Sequence, residues 1–288
     1  MSIDYFWSMG FLKNLFFGYK AYFKAIKFIR EHKLYWYFAI PAVLMLGIYG
    51  LGDMIRHHHI KPDVNNMNEI VWYLVYLLVE ISIAILLMKF AKYLVVVLLS
   101  PLLSNLSMKT EKILTGNTYP FNMKQLVSDV KRALRIVIRN IMWEYFFFLI
   151  IFIVSYLGWE DPQKSPVFYL TFVIGFFYYG FGFLDYINER RRLDMDQSIM
   201  FVRKNRGLAI AIGSIYSIMI LVPVDLSALF YWSNFSEAPM ETIGRFFLHL
   251  LLWLCASIAP ILAIIAATIA MNDLVDLGKN EYAQKQSE

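Results

Sequence analysis

Six stretches of this chain are apolar over lengths that reach or approach the roughly 20 residues a helix needs to cross a bilayer: residues 34–52, 70–100, 141–158, 167–184, 207–232 and 246–271. One such run can be a buried core helix. Six of them in 288 residues leave too little polar sequence to wrap them in water. Charged residues make up 17% of the chain, against about 25% in a soluble domain. An ordinary water-soluble enzyme is excluded, and so is a disordered chain. The expected fold class is all-α: a polytopic membrane protein of about six hydrophobic helices, forming a single membrane domain over residues 1–288. The lone Cys255 excludes an intrachain disulfide or a cysteine-held metal cluster. A formal net charge of +5 on so apolar a chain gives no ground for nucleic-acid binding.

The basic residues orient the chain. Residues 1–33, 101–140, the segment after Asp185 and the C-terminal tail together hold 21 Lys and Arg, whereas the alternate loops hold 4: Arg56, Lys61, Lys164 and Arg245. The rich side is expected to be cytoplasmic, with both termini inside. The N-terminus lacks the small-residue cleavage site of a signal peptide, so the first span is expected to act as the insertion signal.

Two basic stretches have helical periodicity. In 11–26 the apolar positions are Phe11, Leu12, Leu15, Phe16, Tyr19, Tyr22, Phe23 and Ile26, with Lys13, Lys20, Lys24 and Lys27 on another face. That pattern predicts an amphipathic helix lying in the membrane interface within residues 1–33. Residues 124–141 repeat the pattern and run into the third apolar segment with no breaker, so one helix is expected to rise from the cytoplasm into the membrane. Residues 272–288 form a polar cytoplasmic tail.

Pro41, Pro223 and Pro260 fall inside apolar segments. Each is read either as a tolerated kink or as the break of a re-entrant helix beside a permeation path. Gly175, Gly180 and Gly182 read as a close-packing face. His57, His58 and His59 cannot all face one ion from a helix or strand, so no metal is expected. No phosphate-binding loop, dinucleotide fingerprint, nucleophile elbow or zinc-protease motif occurs. Neither enzymatic activity nor a cofactor is expected. Ionisable residues within spans are functional candidates by default, which singles out Glu80 and Asp225.

Several segments, taken in order, resemble the CysZ-like sulfate-permease family, also called the etoposide-induced-protein domain family. They are Gly18-Tyr19-Lys20-Ala21, then Leu34 through Pro41; the apolar run Val95 to Leu99 followed by Ser100-Pro101, Glu111 and Leu114-Thr115-Gly116; Asp129-Val130-Lys131-Arg132; Leu184-Asp185-Tyr186 followed by Arg190, Arg191 and Arg192; and Ala259-Pro260-Ile261. The resemblance implies an inner-membrane protein that carries sulfate inward for cysteine synthesis, works as a homo-oligomer, and mixes full spans with half-penetrating helix pairs. If residues 141–184 are such a pair, the turn at 158–166, with Glu160, Asp161 and Lys164, must reach water. Burying each charge at mid-membrane costs about 2.5–3.5 kcal/mol. The family's anion site is associated with a Gly-Leu/Ile-Arg turn before the first span. The matching positions here read Lys33-Leu34-Tyr35-Trp36, so the glycine and arginines are missing, and residues 225–254 look like an insertion.

Two functions of different class follow. One is a transporter or channel for sulfate or a related small anion. The anion-binding candidates are then Arg30, Lys33 and Leu34, and the pore or polar-network candidates are Glu80, Glu111, Asp185, Arg191 and Asp225. The other is a membrane scaffold or assembly protein without transport. The expected partners are a small inorganic anion, the lipid bilayer and further copies of the chain.

Overall fold

The computed structural model describes residues 10–57, 93, 95–119, 123–220, 222–230, 235–236 and 238–285. They form α1 (Phe11–Glu31), α2 (Ala39–His57), α3 (Ser100–Thr115), α4 (Met123–Gly158), α5 (Leu170–Arg190), α6 (Met195–Lys204), α7 (Arg206–Ile220), α8 (Leu226–Phe230) and α9 (Pro239–Val275). Two-residue strands, β1 (Asn117–Thr118) and β2 (Gln284–Lys285), pair antiparallel. The all-α membrane fold is as expected.

Among the described residues three helices are long and apolar enough to cross a membrane: Val130–Gly158, Pro166–Arg190 and Pro239–Val275. A fourth span is available if α1 and α2, bent by 116° at a short break, count as one. Most of the run at 70–100, with Glu80, Lys89 and Lys92, lies outside the described residues. The run at 207–232 does not form one span. It resolves into α7, an irregular stretch through Pro223, and the short α8. The carbonyl of Val222, beside that proline, accepts a hydrogen bond from the Tyr49 hydroxyl at 3.2 Å, which satisfies backbone that the broken helix leaves open. Pro41 sits in the first turn of α2, where a missing N–H costs little. Pro260 is carried inside the continuous α9.

α4 is unbroken over 36 residues, about 54 Å at 1.5 Å per residue. That exceeds the roughly 30 Å of a bilayer core, so its basic first third projects beyond the apolar part. Its apolar side chains face outward: Phe146, Leu149, Phe152, Ile153 and Tyr156 are exposed, and Leu157 is 79% exposed. The first half of α9 is similar, with Phe247, Leu248, Leu251 and Leu254 exposed. Its second half is buried without interruption from Ala259 to Met271. The same composition therefore serves two surroundings, lipid and protein.

The centre of the molecule is α7. Ten of its 15 residues are buried, and α1, α5 and α9 pack around it. Glycines set the spacing. A Cβ on Gly213 would lie 1.8 Å from the Phe176 carbonyl oxygen, and one on Gly180 would lie 1.8 Å from that of Ala209. On the other side, a Cβ on Gly207 would meet the Phe11 carbonyl oxygen at 2.4 Å. Helix backbones in contact at this range gain dispersion along their whole length. Gly182, by contrast, has open space around it.

α1 has three faces. Asn14, Gly18, Ala21, Tyr22, Ala25, Phe28 and Ile29 are buried. Tyr22 donates to the Ile212 carbonyl at 2.6 Å, and the hydroxyls of Tyr19 and Ser214 lie 3.1 Å apart. Leu12, Phe16, Phe23 and Ile26 remain exposed beside the lysines. The docking seam shares Tyr22 with the stripe that periodicity picks out and otherwise runs through Asn14, Gly18, Ala21 and Ala25 to Phe28 and Ile29.

Candidate functional site

The turn between α1 and α2 is built by one strained residue. His32 N–H closes α1 on the Phe28 carbonyl at 3.0 Å. Lys33 then adopts φ 53°, ψ 43°, and a 3-10 turn from Leu34 to Phe38 leads into α2. Left-handed backbone is glycine's natural territory. The glycine that the resembled turn carries is absent from the sequence, and Lys33 takes the left-handed conformation without it. Leu34 is buried and anchors the turn. Arg30 and Lys33 are exposed, as is Trp36, at 86%. The turn therefore presents two cations next to aromatic side chains suited to a membrane interface.

A second cluster ties together α3, α5, α9 and the end of the chain. Glu111 is fully buried, and its Oε2 accepts from Arg190 Nε at 2.9 Å. Oε1 accepts from Asn117 Nδ2 at 3.1 Å and from the Tyr119 hydroxyl at 2.5 Å. Arg190 spends its other nitrogens on Ser107 Oγ at 2.8 Å and the Tyr186 carbonyl at 3.1 Å. Ser107 continues to the Thr268 hydroxyl of α9 at 2.7 Å. Asn117 Nδ2 also donates to the Leu277 carbonyl at 2.8 Å, and Asn280 donates to the Tyr119 hydroxyl at 3.0 Å. Gly116 makes the tight exit from α3 that this requires, at φ 78°. Burial, reinforced by the hydrogen bond to Glu111, pushes the Tyr119 phenol well up, so it stays a donor at any physiological pH.

A third cluster joins α4, α5 and α6. The Arg132 guanidinium forks onto Asp185, with Nε and Nη2 each 2.9 Å from a carboxylate oxygen. Such paired charge-assisted bonds are the strong kind. Arg132 Nη1 reaches the Leu193 carbonyl at 2.9 Å, and Ser198 Oγ donates to Asp185 at 2.5 Å. Asp194 caps α6 in a full capping box with Gln197. Lys24 of α1 meets Asp273 of α9 at 2.5 Å. Segments from all the basic stretches thus gather at one end of the bundle, where two buried ion pairs lock them.

The structure places the remaining candidates differently. Asp225 lies in the irregular stretch before α8, where its carboxylate accepts from Ser227 N–H at 2.9 Å and Ser227 Oγ at 2.7 Å. Arg245 of α9 approaches it at 3.3 Å, and the Asp225 backbone N–H donates to His249 Nδ1 at 3.1 Å. The Ser227 hydrogen bonds hold its carboxyl below the usual range. Arg191 does not join the Glu111 pair. It bonds the Asn188 side-chain oxygen at 3.3 Å and sits over the Phe201 ring. Glu80 lies outside the described residues, as do His58 and His59. No group of three or more potential metal ligands is assembled among the described residues.

Residue-pattern reasoning passed over Arg190, Arg132, Tyr119, Asn117 and Glu144. Glu144 is buried within α4, where Oε2 accepts from the Tyr93 hydroxyl at 2.7 Å. Gly175 makes room for it, since a Cβ there would lie 3.3 Å from Oε1. Its signal was available as a lone acid in an apolar run.

Among known families, the model described as Sulfate transporter CysZ/Etoposide-induced protein 2.4 matches residues 21–230. That range holds the Arg30–Leu34 turn, both buried ion pairs and the whole of α2 to α8. No curated protein matches the chain.

Proposed function

The chain belongs to the family of the sulfate transporter CysZ and etoposide-induced protein 2.4, and on that premise we propose that it moves sulfate or a related small oxyanion across a membrane, without enzymatic chemistry. One observation carries this reading: the broken helix pair α1/α2, whose 116° bend brings a cationic turn to the start of an apolar helix. Discontinuous helices in transporters commonly place half-helix N-termini at anionic groups. Here Arg30 and Lys33 supply the charge, and the backbone at Leu34 is the donor. Glu111 and Asp185, with Arg190 and Arg132, hold α3, α4, α5 and α6 at fixed spacing. Glu80, Asp225 and Arg191 remain candidates for the polar path. The outward apolar faces of α4 and α9 are left for lipid and, where copies of the chain associate, for one another.

The test is sulfate flux into liposomes of neutral lipid, comparing the parent with Arg30→Gln plus Lys33→Gln. A loss of roughly tenfold or more is expected, in line with charge-assisted hydrogen bonds worth about 1.5–3 kcal/mol each. Unchanged flux with a normal melting profile removes the turn from the mechanism. No flux in the parent favours a scaffold.

The reading also sets the sidedness. We assign the end bearing the ion pairs to the cytoplasm of a cell's inner membrane, by the bias of basic residues toward that side. In a Cys255→Ser background, Ser128→Cys is expected to react with a membrane-impermeant maleimide only after the cells are opened. Glu160→Cys, at the tip between α4 and α5, reacts in intact cells. The opposite pattern inverts the assignment.

A further inference from the structure

A cavity of about 220 Å³ opens where the N-termini of α1 and α7 meet. Gly10, Phe11 and Asn14 line one side, and Arg203, Lys204 and Arg206 line the other. It shares no residue with the Arg30–Leu34 turn. We propose that it is a binding site for a tetrahedral oxyanion, a sulfate or phosphate group, carried either by a free ion or by a lipid headgroup.

Three independent features converge there. The first is fixed charge: three cationic side chains surround one opening, and neither Arg203 nor Arg206 has a carboxylate partner among the described residues. Two of the three are arginines, whose planar forks match the oxygens of such groups. The second is the backbone. α1 begins at Gly10 with no side-chain cap, and neither α1 nor α7 has an acid in its first turn. Both helices therefore bring positive dipole ends and the N–H groups of their first turns toward the space. The third is what has been removed from it. The C-terminus of α6 ends at the same place, and its carbonyls would repel an anion. Asn205 covers two of them: its N–H reaches the Phe201 and Val202 carbonyls at 3.1 Å, and its Nδ2 reaches that of Phe201 at 3.0 Å.

The site is held rigidly. Asn14, buried, donates to Asn205 Oδ1 at 3.4 Å. Gly207 lets the α1 backbone come close enough for both N-termini to share one opening. The opening has room for one such group with part of its hydration.

The test uses full-length protein carrying Arg30→Gln and Lys33→Gln, so that the turn cannot contribute, in nanodiscs of zwitterionic lipid with radiolabelled sulfate. Saturable binding is expected, weakened about tenfold or more by adding Arg203→Gln and Arg206→Gln, since each lost charge-assisted bond is worth about 1.5–3 kcal/mol. Adding Lys20→Gln and Lys27→Gln instead removes the same charge from the outer side of α1 and is expected to leave binding intact. A second arm measures retention of phosphatidic acid by native mass spectrometry. If the headgroup is the natural occupant, lipid retention shows the loss at Arg203 and Arg206 while free sulfate does not bind. Should the double variant fail to melt cooperatively, Lys204→Gln alone is read, with an expected weakening of about threefold. The proposal is overturned if the folded variant holds sulfate and lipid as its parent does, or if the parent holds neither.

Discussion

Alanine at position 213 is expected to leave no folded protein. The added methyl group would stand 1.8 Å from the Phe176 carbonyl oxygen and 2.6 Å from the Gly180 nitrogen, where ordinary non-bonded contact is about 3.5 Å or more. The obstacle is backbone on both sides, so no rotamer change relieves it. α5 and α7 would have to part along their shared face, opening the packing of α1 and α9 as well. Overpacking usually costs about 1–3 kcal/mol where side chains can yield; here nothing yields, and the cost exceeds that range. The measurement is the yield of monodisperse protein on size exclusion in mild detergent. Gly182→Ala is the matched control on α5. With nothing within 4 Å of its Cβ, it should fold and gain up to about 1 kcal/mol from helix propensity. Normal yield for Gly213→Ala would mean that the α5–α7 contact is wrong.

The second large effect is at Glu111. Replacing it by leucine strands Arg190, which is 8% exposed, and removes the acceptor for Asn117 and Tyr119. Breaking a buried ion pair by removing one partner costs about 3–5 kcal/mol. For a chain of this size that is a fall in melting temperature of roughly 10 °C. Arg190→Met alone should cost a similar amount. The double variant is expected to recover much of the loss, because two well-packed apolar residues need no desolvation. Additive losses in this cycle would show that the two groups are not coupled.

The parts of this fold that were legible were those governed by contrast with water. Apolar runs mark α2, α4, α5 and α9, and the segregated lysines and arginines mark the segments that meet at the ion-paired end. The continuity of α4 followed from the absence of any breaker near residue 140. What could not be read was the choice between two apolar surroundings. The run at 207–232 looks like a span because α7 is apolar on every side, yet it is apolar because protein surrounds it. Similarly, the seam of α1 consists largely of Asn14, Gly18, Ala21 and Ala25, small residues that hydrophobic periodicity does not register. Arg190 and Arg191 are neighbours in sequence but point about 100° apart on a helix, and only the position of Glu111 decides which is paired. At the turn, no glycine signals the left-handed conformation that Lys33 adopts at a strain of about 1–3 kcal/mol.

The stitching of Asn117 to Leu277 and of β1 to β2 imposes an order on biosynthesis. Glu111 emerges from the ribosome 79 residues before Arg190, and Asn117 emerges 160 residues before Leu277. At about 5–20 residues per second, the second interval is roughly ten to thirty seconds. For about the first half of it Glu111 lacks Arg190, and for all of it the Asn117 amide lacks the Leu277 carbonyl. The nascent chain must keep that end at the hydrated surface while later helices enter the membrane, and the bundle can close only once Leu277 has been made.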